Sequence, residues 1–189
     1  MRFKVVAVSG SVSSPSKTEV LIQTIIDQFK ETQEIDVHFV KLSTIGRDLS
    51  GALFRSELPT HIKDDLTVIE NADLLIVGTP VYRASFTGLF KHLFDFVDQN
   101  ALIDVPILLS ASGGSHRHAL ILEHQLRPLF SFFQAHTLPI GVYAIDNDFK
   151  NYQVTSSALD NRIQLAVQRA LPFLNHQKTK KIGLKVLEA

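Results

Sequence analysis

The spacing of hydrophobic residues follows two patterns that alternate along the chain. Short, nearly continuous apolar runs are typical of strands, and between them apolar residues recur every three or four positions, as on one face of a helix. Strands that alternate with helices form parallel βαβ units, so the pattern predicts an α/β protein with a doubly wound parallel sheet. The five predicted strands are Phe3–Ser9, Ile35–Leu42, Ala72–Thr79, Val105–Ala111 and Leu138–Ala144.

Five helical segments are predicted from the same pattern. The first three carry apolar residues at helical spacing, namely Val20/Leu21/Ile25/Phe29, Ile62/Leu66/Ile69 and Phe86/Leu89/Phe90/Leu93/Val97. The fourth spans roughly residues 115–135. The fifth has Leu159, Ile163, Ala166 and Ala170 on one face and closes the domain near Leu174.

The composition of the strands predicts their order in the sheet. The first, third and fourth strands are apolar almost throughout, as expected where helices cover both faces of a sheet. The second strand carries Asp36 and Lys41, and the fifth carries Pro139 and Gly141, which sheets tolerate best at an edge. Edges at these two strands give a five-stranded, flavodoxin-like sheet of order 2-1-3-4-5, whose ligand lies at the carboxyl ends of the first and third strands.

The chain is organised as one domain with a short extension. We assign residues 1–174 to a flavodoxin-like domain and expect the basic segment 175–189 to be a flexible tail or an arm on a neighbouring subunit. Residues 42–59 are predicted as a loop, and a loop of that length in a compact domain is a candidate binding or subunit-contact segment.

Composition narrows the classes of function. The chain has 189 residues, of which 45% are hydrophobic, and its formal net charge is zero. A neutral chain has no general electrostatic attraction to nucleic acid or to an anionic membrane. The sequence contains no cysteine, which excludes disulfides, thiolate metal sites and cysteine nucleophiles and is consistent with a cytoplasmic protein. No signal segment or transmembrane run is recognised.

The segment after the first strand, SGSVSSPSKT at residues 9–18, is rich in hydroxyl groups. Small residues let backbone N–H groups turn toward an anion, and the N-terminus of the following helix adds its partial positive charge. The sequence therefore predicts a phosphate-binding loop. Ser16, with Glu19 three residues later, also forms a capping box, so Ser16 alone has a purely structural interpretation.

Two other nucleotide-binding motifs do not fit this loop. A Walker A loop requires a second glycine directly before the lysine, but Ser16 precedes Lys17 and the spacing is one residue too long. The dinucleotide fingerprint requires three glycines, and only Gly10 is present. The phosphate of a mononucleotide is therefore the ligand that this loop is predicted to bind.

Two further loops are predicted at the same edge of the sheet. TPVYR at residues 79–83 follows the third strand, and SGGSH at residues 112–116 follows the fourth. Tyr82 offers a flat surface that suits an isoalloxazine ring or a ribityl chain. Gly113 and Gly114 permit the backbone to approach a planar ring closely.

The pattern GS…S-x-T, then TPVYRASFTGLFKHLFD, then GGS resembles the NAD(P)H-dependent FMN reductase family. The likeness is strongest to the reductases that supply reduced flavin to two-component alkanesulfonate and methanesulfonate monooxygenases, and it spans about residues 3–174. It implies FMN and NADH or NADPH as cofactors, a homodimer or homotetramer, and a monooxygenase partner. The cofactor-binding residues it implies are Ser11, Ser16, Lys17, Thr18, Pro80, Val81, Tyr82, Arg83, Gly113, Gly114, Ser115 and His116.

No catalytic residue is predicted, because hydride transfer from nicotinamide to flavin requires alignment of two rings and no protein acid or base. Arg83 is a candidate for a pyridine-nucleotide phosphate and equally for an ordinary solvated arginine. Two rival functions remain open on the same fold. One is an FMN-retaining reductase of quinones, azo dyes or metal oxyanions, and the other, less favoured because such proteins are usually acidic, is a flavodoxin-type electron carrier.

The fourth helix contains an irregularity that is visible in the sequence. Pro128 lacks the N–H that would bond to the carbonyl of His124, and its ring crowds that carbonyl, so a kink or π-bulge is expected. In the alkanesulfonate-type reductases that the chain resembles, this helix carries an inserted tyrosine that makes a π-helix at the subunit interface, and His124 falls at its place. An ordinary, partly buried helical histidine beside a kink is the alternative. Phe130, Phe132 and Phe133 cannot all face one core, so some are expected to contact another subunit.

A metal site is not predicted. His116 and His118 are two positions apart, which places them on different faces of a helix, and no carboxylate lies at ligand spacing.

Overall fold

The computed structural model describes the backbone of residues 2–187 and the side chains of residues 2–174. Its main sheet is parallel and runs in the order β2-β1-β3-β4-β5, with a further strand, β6, also paired to β4. The predicted order 2-1-3-4-5 is therefore confirmed. The strands are β1 (Phe3–Ser9), β2 (Ile35–Lys41), β3 (Leu74–Pro80), β4 (Pro106–Gly113), β5 (His136–Thr137) and β6 (Val142–Ile145).

Helices cover both faces of the sheet and produce two separate cores. Helices α1 and α6 pack on one face, and α2 to α5 pack on the other. Because β1, β3 and β4 are buried from both sides, they appear in the sequence as continuous apolar runs. The helices are α1 (Lys17–Thr32), α2 (Leu42–Ser50), α3 (Thr60–Glu70), α4 (Gly88–Asp95), α5 (Arg127–Phe132) and α6 (Ser157–Leu187). The fifth helix, predicted to close the domain near Leu174, continues to Leu187. The expectation of a flexible tail or subunit arm at residues 175–189 lies outside the described side chains and stays a prediction.

The predicted fifth strand is two strands, β5 and β6, separated at Pro139 and Gly141. The prediction of one continuous strand is wrong, because a proline cannot donate to the ladder and the chain leaves β4 there. Two arginines bond to backbone carbonyls at this break: Arg127 Nη1 donates to the carbonyl of Leu138 at 3.2 Å, and Arg162 Nε donates to the carbonyl of Gly141 at 2.9 Å.

Residues 42–59 are not the long loop that was predicted. They form α2 and a short 3₁₀ turn at Arg55–Glu57. Leu42, Ile45 and Leu49 are buried on one face of α2 at helical spacing. The helix begins after Lys41 with no side-chain cap, so the usual start signal is missing from the sequence.

The fourth helical segment is interrupted, as Pro128 indicated. It consists of a 3₁₀ turn at His116–His118, a π-helix at Leu122–Leu126 and then α5. Pro128 lies in the first turn of α5, directly after the π-helix, whose last bond runs from the amide of Arg127 to the carbonyl of Leu122. The predicted irregularity is confirmed, whereas a single helix over residues 115–135 is wrong.

A small hairpin, β7 (Phe149–Lys150) and β8 (Gln153–Val154), was not predicted. Its turn residues Asn151 and Tyr152 have φ values of 50° and 56°, a region in which glycine is the usual signal. Among the described helices, none is long and apolar enough to cross a lipid bilayer.

Candidate functional site

The loop between β1 and α1 begins at a fixed point. The amide of Gly10 donates to the carbonyl of Gly78 at 2.7 Å, and the carbonyl of Gly10 accepts from Thr87 Oγ1 at 2.8 Å. A Cβ at position 10 would lie 2.9 Å from Cδ2 of Phe90 and 3.0 Å from Oγ1 of Thr79. Only glycine fits here, so β3 and α4 together hold the start of the loop.

The hydroxyl groups predicted to bind phosphate also shape the loop. Ser11 Oγ donates to the carbonyl of Ser13 at 3.0 Å, and Ser16 is the N-cap of α1, accepting from the amide of Thr18 at 3.2 Å. Thr18 Oγ1 lies 2.7 Å from Ser112 Oγ, in a buried hydrogen bond that joins the first loop to the third. The structural interpretation of Ser16 is thus correct, and its role toward a phosphate stays a prediction.

The capping box at α1 is only half formed. Glu19 does not return to Ser16; its carboxylate accepts from Ser43 Oγ at 2.6 Å and pairs with Lys41 Nζ at 3.7 Å. The first turn of α1 is thereby anchored to the start of α2.

Lys17, the first residue of α1, forms an ion pair that the sequence did not indicate. Its Nζ lies 2.8 Å from Oδ1 of Asp146. Asp146 begins a 3₁₀ turn directly after β6, and β6 pairs with β4 so that Ile145 lies opposite Gly113. A fourth loop therefore joins the carboxyl edge, beside the three that were predicted.

The second loop is a tight turn. The amide of Tyr82 donates to the carbonyl of Ser85 at 2.8 Å, and the reverse bond measures 3.0 Å. Arg83 and Ala84 between them have φ values of 50° and 68°. Each left-handed non-glycine residue costs roughly 1–3 kcal/mol, and such strain clusters where a backbone shape serves a ligand. The ring of Tyr82 is 47% exposed, so it is accessible to a ligand.

The third loop is held by Tyr143, a residue absent from the sequence-based predictions. Its hydroxyl donates to the carbonyl of Ser115 at 2.8 Å, and burial, aided by the charge of Asp146, raises the pKa of Tyr143 above its ordinary value. A Cβ on Gly113 would lie 2.3 Å from that hydroxyl, whereas one on Gly114 would meet nothing closer than Asp146 Oδ2 at 4.0 Å. Gly113 is required by packing, and Gly114 faces open space.

The two glycines are therefore expected to respond differently to alanine. Gly113→Ala displaces Tyr143 and lowers the free energy of unfolding by about 1–3 kcal/mol. Gly114→Ala leaves the urea midpoint unchanged, since its Cβ would meet nothing closer than Asp146 Oδ2 at 4.0 Å. With the ring against this loop, as predicted from the sequence, the added methyl group weakens flavin binding. Urea unfolding and flavin fluorescence titration measure the two effects. Equal loss of stability in both variants would contradict the conclusion that packing requires a glycine at position 113 but not at position 114.

The remaining predicted residues lie where expected along the same edge. The amide of Val81 donates to the carbonyl of Ser112 at 2.8 Å, so the loop after Pro80 is tied to the third loop. His116 begins the 3₁₀ turn and is exposed, like His118. Within the described residues, no three histidine, aspartate or glutamate side chains converge to hold a metal ion.

The π-helix contacts the second loop. Gln125 accepts a hydrogen bond from Ser85 Oγ at 3.1 Å, which links the π-helix to the strained turn. Across the π-helix, Arg127 binds both carboxylate oxygens of Glu123, at 2.6 and 2.8 Å. This bond lowers the pKa of Glu123 and raises the pKa of Arg127. His124 is exposed, so it is not the partly buried histidine of the alternative interpretation.

Several residues that organise the site were missed in the sequence. They are Thr87, Gln125, Tyr143 and Asp146. Tyr143 lies in the predicted fifth strand, Leu138–Ala144, and Asp146 lies two residues beyond its predicted end, so the parallel order would have placed them at the same edge. The hydrogen bond between Gln125 and Ser85 depends on the π-helical backbone, and no pattern in the sequence indicates it.

The groups present fit a flavin mononucleotide. A phosphate monoester requires donors, and the first loop supplies hydroxyls, exposed serines at its tip and the N-terminus of α1. A planar ring requires close backbone and a flat side chain, which Gly114 and Tyr82 supply.

Known proteins support the same interpretation. The chain matches the NADPH-dependent FMN reductase family over residues 3–150. It is 57% identical over 176 residues to the NADH-dependent FMN reductase SfnF of Pseudomonas fluorescens (strain Pf0-1), covering 93% of this chain and 94% of that one. It is 55% identical over 171 residues to an FMN reductase (NADPH) of Pseudomonas aeruginosa, covering 90% and 92%.

Solved structures agree on the fold. An oxidoreductase from Corynebacterium diphtheriae superimposes with a TM-score of 0.81 at 29% identity, covering 93% of this chain and 98% of that one. With the sheet order, the hydroxyl-rich first loop and the family match over most of the domain, the chain belongs to the NADPH-dependent FMN reductase family.

Proposed function

We propose that this protein reduces FMN with NADH or NADPH and releases the reduced flavin to a flavin-dependent monooxygenase of the alkanesulfonate or methanesulfonate type. The observation that carries the proposal is the position of the hydroxyl-rich loop at the N-terminus of α1. It lies at the same edge of the sheet as the loops at residues 79–83 and 112–116. The names of its relatives, which specify FMN reduction, support it. The absence of cysteine fits a cytoplasmic location.

The chain contributes binding and alignment. Ser11, Ser16 and Thr18, together with Lys17, form the phosphate end of the site, and residues 80–83 and 113–116 flank the ring. When bound, the flavin ring accepts a hydride from the nicotinamide, and that chemistry belongs to the two cofactors. The strained turn at Arg83 and the hydrogen bond from Tyr143 keep the two ring-side loops in fixed positions, which is the contribution that alignment requires.

Steady-state oxidation of the pyridine nucleotide tests this proposal. We expect oxidation of NADH or NADPH by the purified protein to depend on added FMN and to saturate with it. Both nucleotides are compared, because the names of the relatives differ in this respect. Failure to oxidise either nucleotide at saturating FMN would contradict the enzymatic function and favour an electron carrier.

A reductase that retains its flavin is the rival enzyme, and gel filtration distinguishes it. Under the proposed function, FMN separates from the protein on the column, and activity returns when FMN is added. Flavin that stays with the protein, together with ping-pong kinetics toward a quinone or azo dye, would instead favour the rival.

We further propose that the chain forms a homodimer or homotetramer through the surface around the π-helix. The side chains of Leu120 and Phe132 are 62% and 65% exposed, and His124 is exposed between them in sequence. Apolar exposure of this kind is typical of a subunit interface.

His124→Ala is expected to change the sedimentation profile or FMN retention while leaving the free energy of unfolding within about 0.5 kcal/mol of the parent, as is usual for an exposed position. Sedimentation velocity and FMN titration measure the two properties. If neither property changes, His124 has no role at the interface.

A further inference from the structure

The ion pair between Lys17 and Asp146 spans the phosphate end of the site. Lys17 is the only lysine or arginine within residues 9–18, so it is the one fixed positive side chain that this loop offers to a phosphate. Its Nζ lies 2.8 Å from Asp146 Oδ1, at side-chain exposures of 37% and 59%. The lysine is therefore paired with a carboxylate in a partly exposed ion pair.

The position of Asp146 is determined by the backbone. Asp146 starts the 3₁₀ turn that follows β6, and this turn is closed by a bond from the amide of Ile145 to Asp148 Oδ2 at 2.8 Å. Its own carboxylate lies 4.0 Å from where a Cβ on Gly114 would be, and it acts electrostatically on Tyr143. A negative charge thus lies among the loops that surround the flavin.

This charge works against an anionic ligand. The flavin phosphate carries close to two negative charges at neutral pH, so a nearby carboxylate repels it and at the same time occupies the ammonium that would attract it. The loop is left with hydroxyls, amides and a helix terminus, which bind phosphate without net charge.

We propose that Asp146 sets the affinity for FMN by holding Lys17, so that the flavin exchanges during turnover and does not become a permanent prosthetic group. Asp146 is an affinity-determining residue and takes no part in hydride transfer. The inference rests on the proposed function, since it concerns the phosphate end of the same site.

The test is a double-mutant cycle read by flavin binding. Asp146→Asn keeps the shape of the side chain and removes its charge, and we expect FMN to bind roughly tenfold tighter, about 1.4 kcal/mol. Riboflavin, which has no phosphate, binds both proteins equally. The gain shrinks as salt is added, because the charges are partly exposed.

The lysine completes the cycle. In the parent, Lys17→Gln weakens FMN binding by no more than a few fold, because the ammonium is already paired. In the Asp146→Asn background, the same change removes the part of the gain that comes from the freed ammonium, so it weakens FMN binding more than in the parent, which is the non-additivity expected of a coupled pair. Additive effects would overturn the claim that Asp146 holds Lys17.

Asp95→Asn is the matched control. Asp95 also forms an exposed ion pair, with Lys91, but at the opposite end of α4 from Thr87 and the phosphate loop. It is expected to leave FMN affinity unchanged.

Fluorescence quenching of FMN and of riboflavin gives every dissociation constant, and stopped-flow dilution gives the release rate of FMN. Slower release from Asp146→Asn supports the inference. An FMN affinity unchanged by Asp146→Asn, or FMN and riboflavin tightened equally, overturns it while the proposed function stands. A parent protein that binds neither flavin overturns both.

Discussion

Replacing Gly10 by alanine is expected to lower kcat/KM for FMN by about a hundredfold, the loss that accompanies a displacement of roughly 1 Å near a reacting ligand. The added Cβ would lie 2.9 Å from the ring of Phe90 and 3.0 Å from Thr79 Oγ1. Phe90 is fully buried and cannot yield, so the loop must shift. The carbonyl of Gly10 then moves away from Thr87, and the N-terminus of α4 loses its link to the loop. Steady-state kinetics with FMN measure the effect.

Gly51→Ala is the control for this substitution. Gly51 is the C-cap of α2, and no atom lies within 4 Å of where its Cβ would be. Its kcat/KM is expected to equal that of the parent. Wild-type kinetics in Gly10→Ala would show that the loop does not depend on the close packing seen at β3 and α4.

Replacing Phe130 by alanine is expected to reduce the free energy of unfolding by about 3–5 kcal/mol, the range measured for buried phenylalanines. Its side chain is fully buried, and its ring centroid lies 4.9 Å from that of Phe94 in an edge-to-face arrangement. The ring packs α5 against α4, and α5 directly follows the π-helix. Removing it leaves a cavity under α5, next to the π-helix, which bonds through Gln125 to the turn at residues 82–85. Urea unfolding followed by circular dichroism gives the change.

Two companion variants keep this prediction testable. Phe130→Leu retains most of the volume and is expected to cost less than about 1.5 kcal/mol, so it folds even if the alanine variant does not. Phe54→Ala removes a ring that is 66% exposed and is expected to be nearly neutral. Equal losses for Phe130→Ala and Phe54→Ala would contradict the placement of Phe130 in the core.

The parallel sheet was predictable because burial on both faces produces an unmistakable pattern. β1 was predicted with its observed bounds, Phe3–Ser9. The edge position of β2 followed from its polar residues, and that of the fifth strand followed from Pro139 and Gly141. Strand order in turn gave the edge at which the loops meet.

Local irregularities were predictable only where a residue type enforces them. Pro128 signalled the interruption of the fourth helix, because a proline cannot donate a helical hydrogen bond. Helix α2 carried no such signal: Lys41 does not cap it, and its stability comes from Leu42, Ile45 and Leu49 packing under the sheet. Tertiary burial overrode weak propensity there.

The site was predictable as a set of loops but not as a set of contacts. The serine-rich segment and the Gly113–Gly114 pair were recognised from composition alone. The pairing of Lys17 with Asp146, 129 positions away in the chain, depends on the register of β6 against β4. The bond from Tyr143 to Ser115 depends on the same register. Long-range contacts of this kind follow from the fold and have no local sequence signature.

The central claim is that the loop at residues 9–18 holds the phosphate of FMN. The most direct test compares kcat/KM for FMN with kcat/KM for riboflavin, at saturating NADH or NADPH and low ionic strength. The two flavins share the ring and differ only in the phosphate. We expect FMN to be preferred by at least about tenfold, the equivalent of 1.4 kcal/mol of phosphate recognition. Equal values for FMN and riboflavin would contradict the claim.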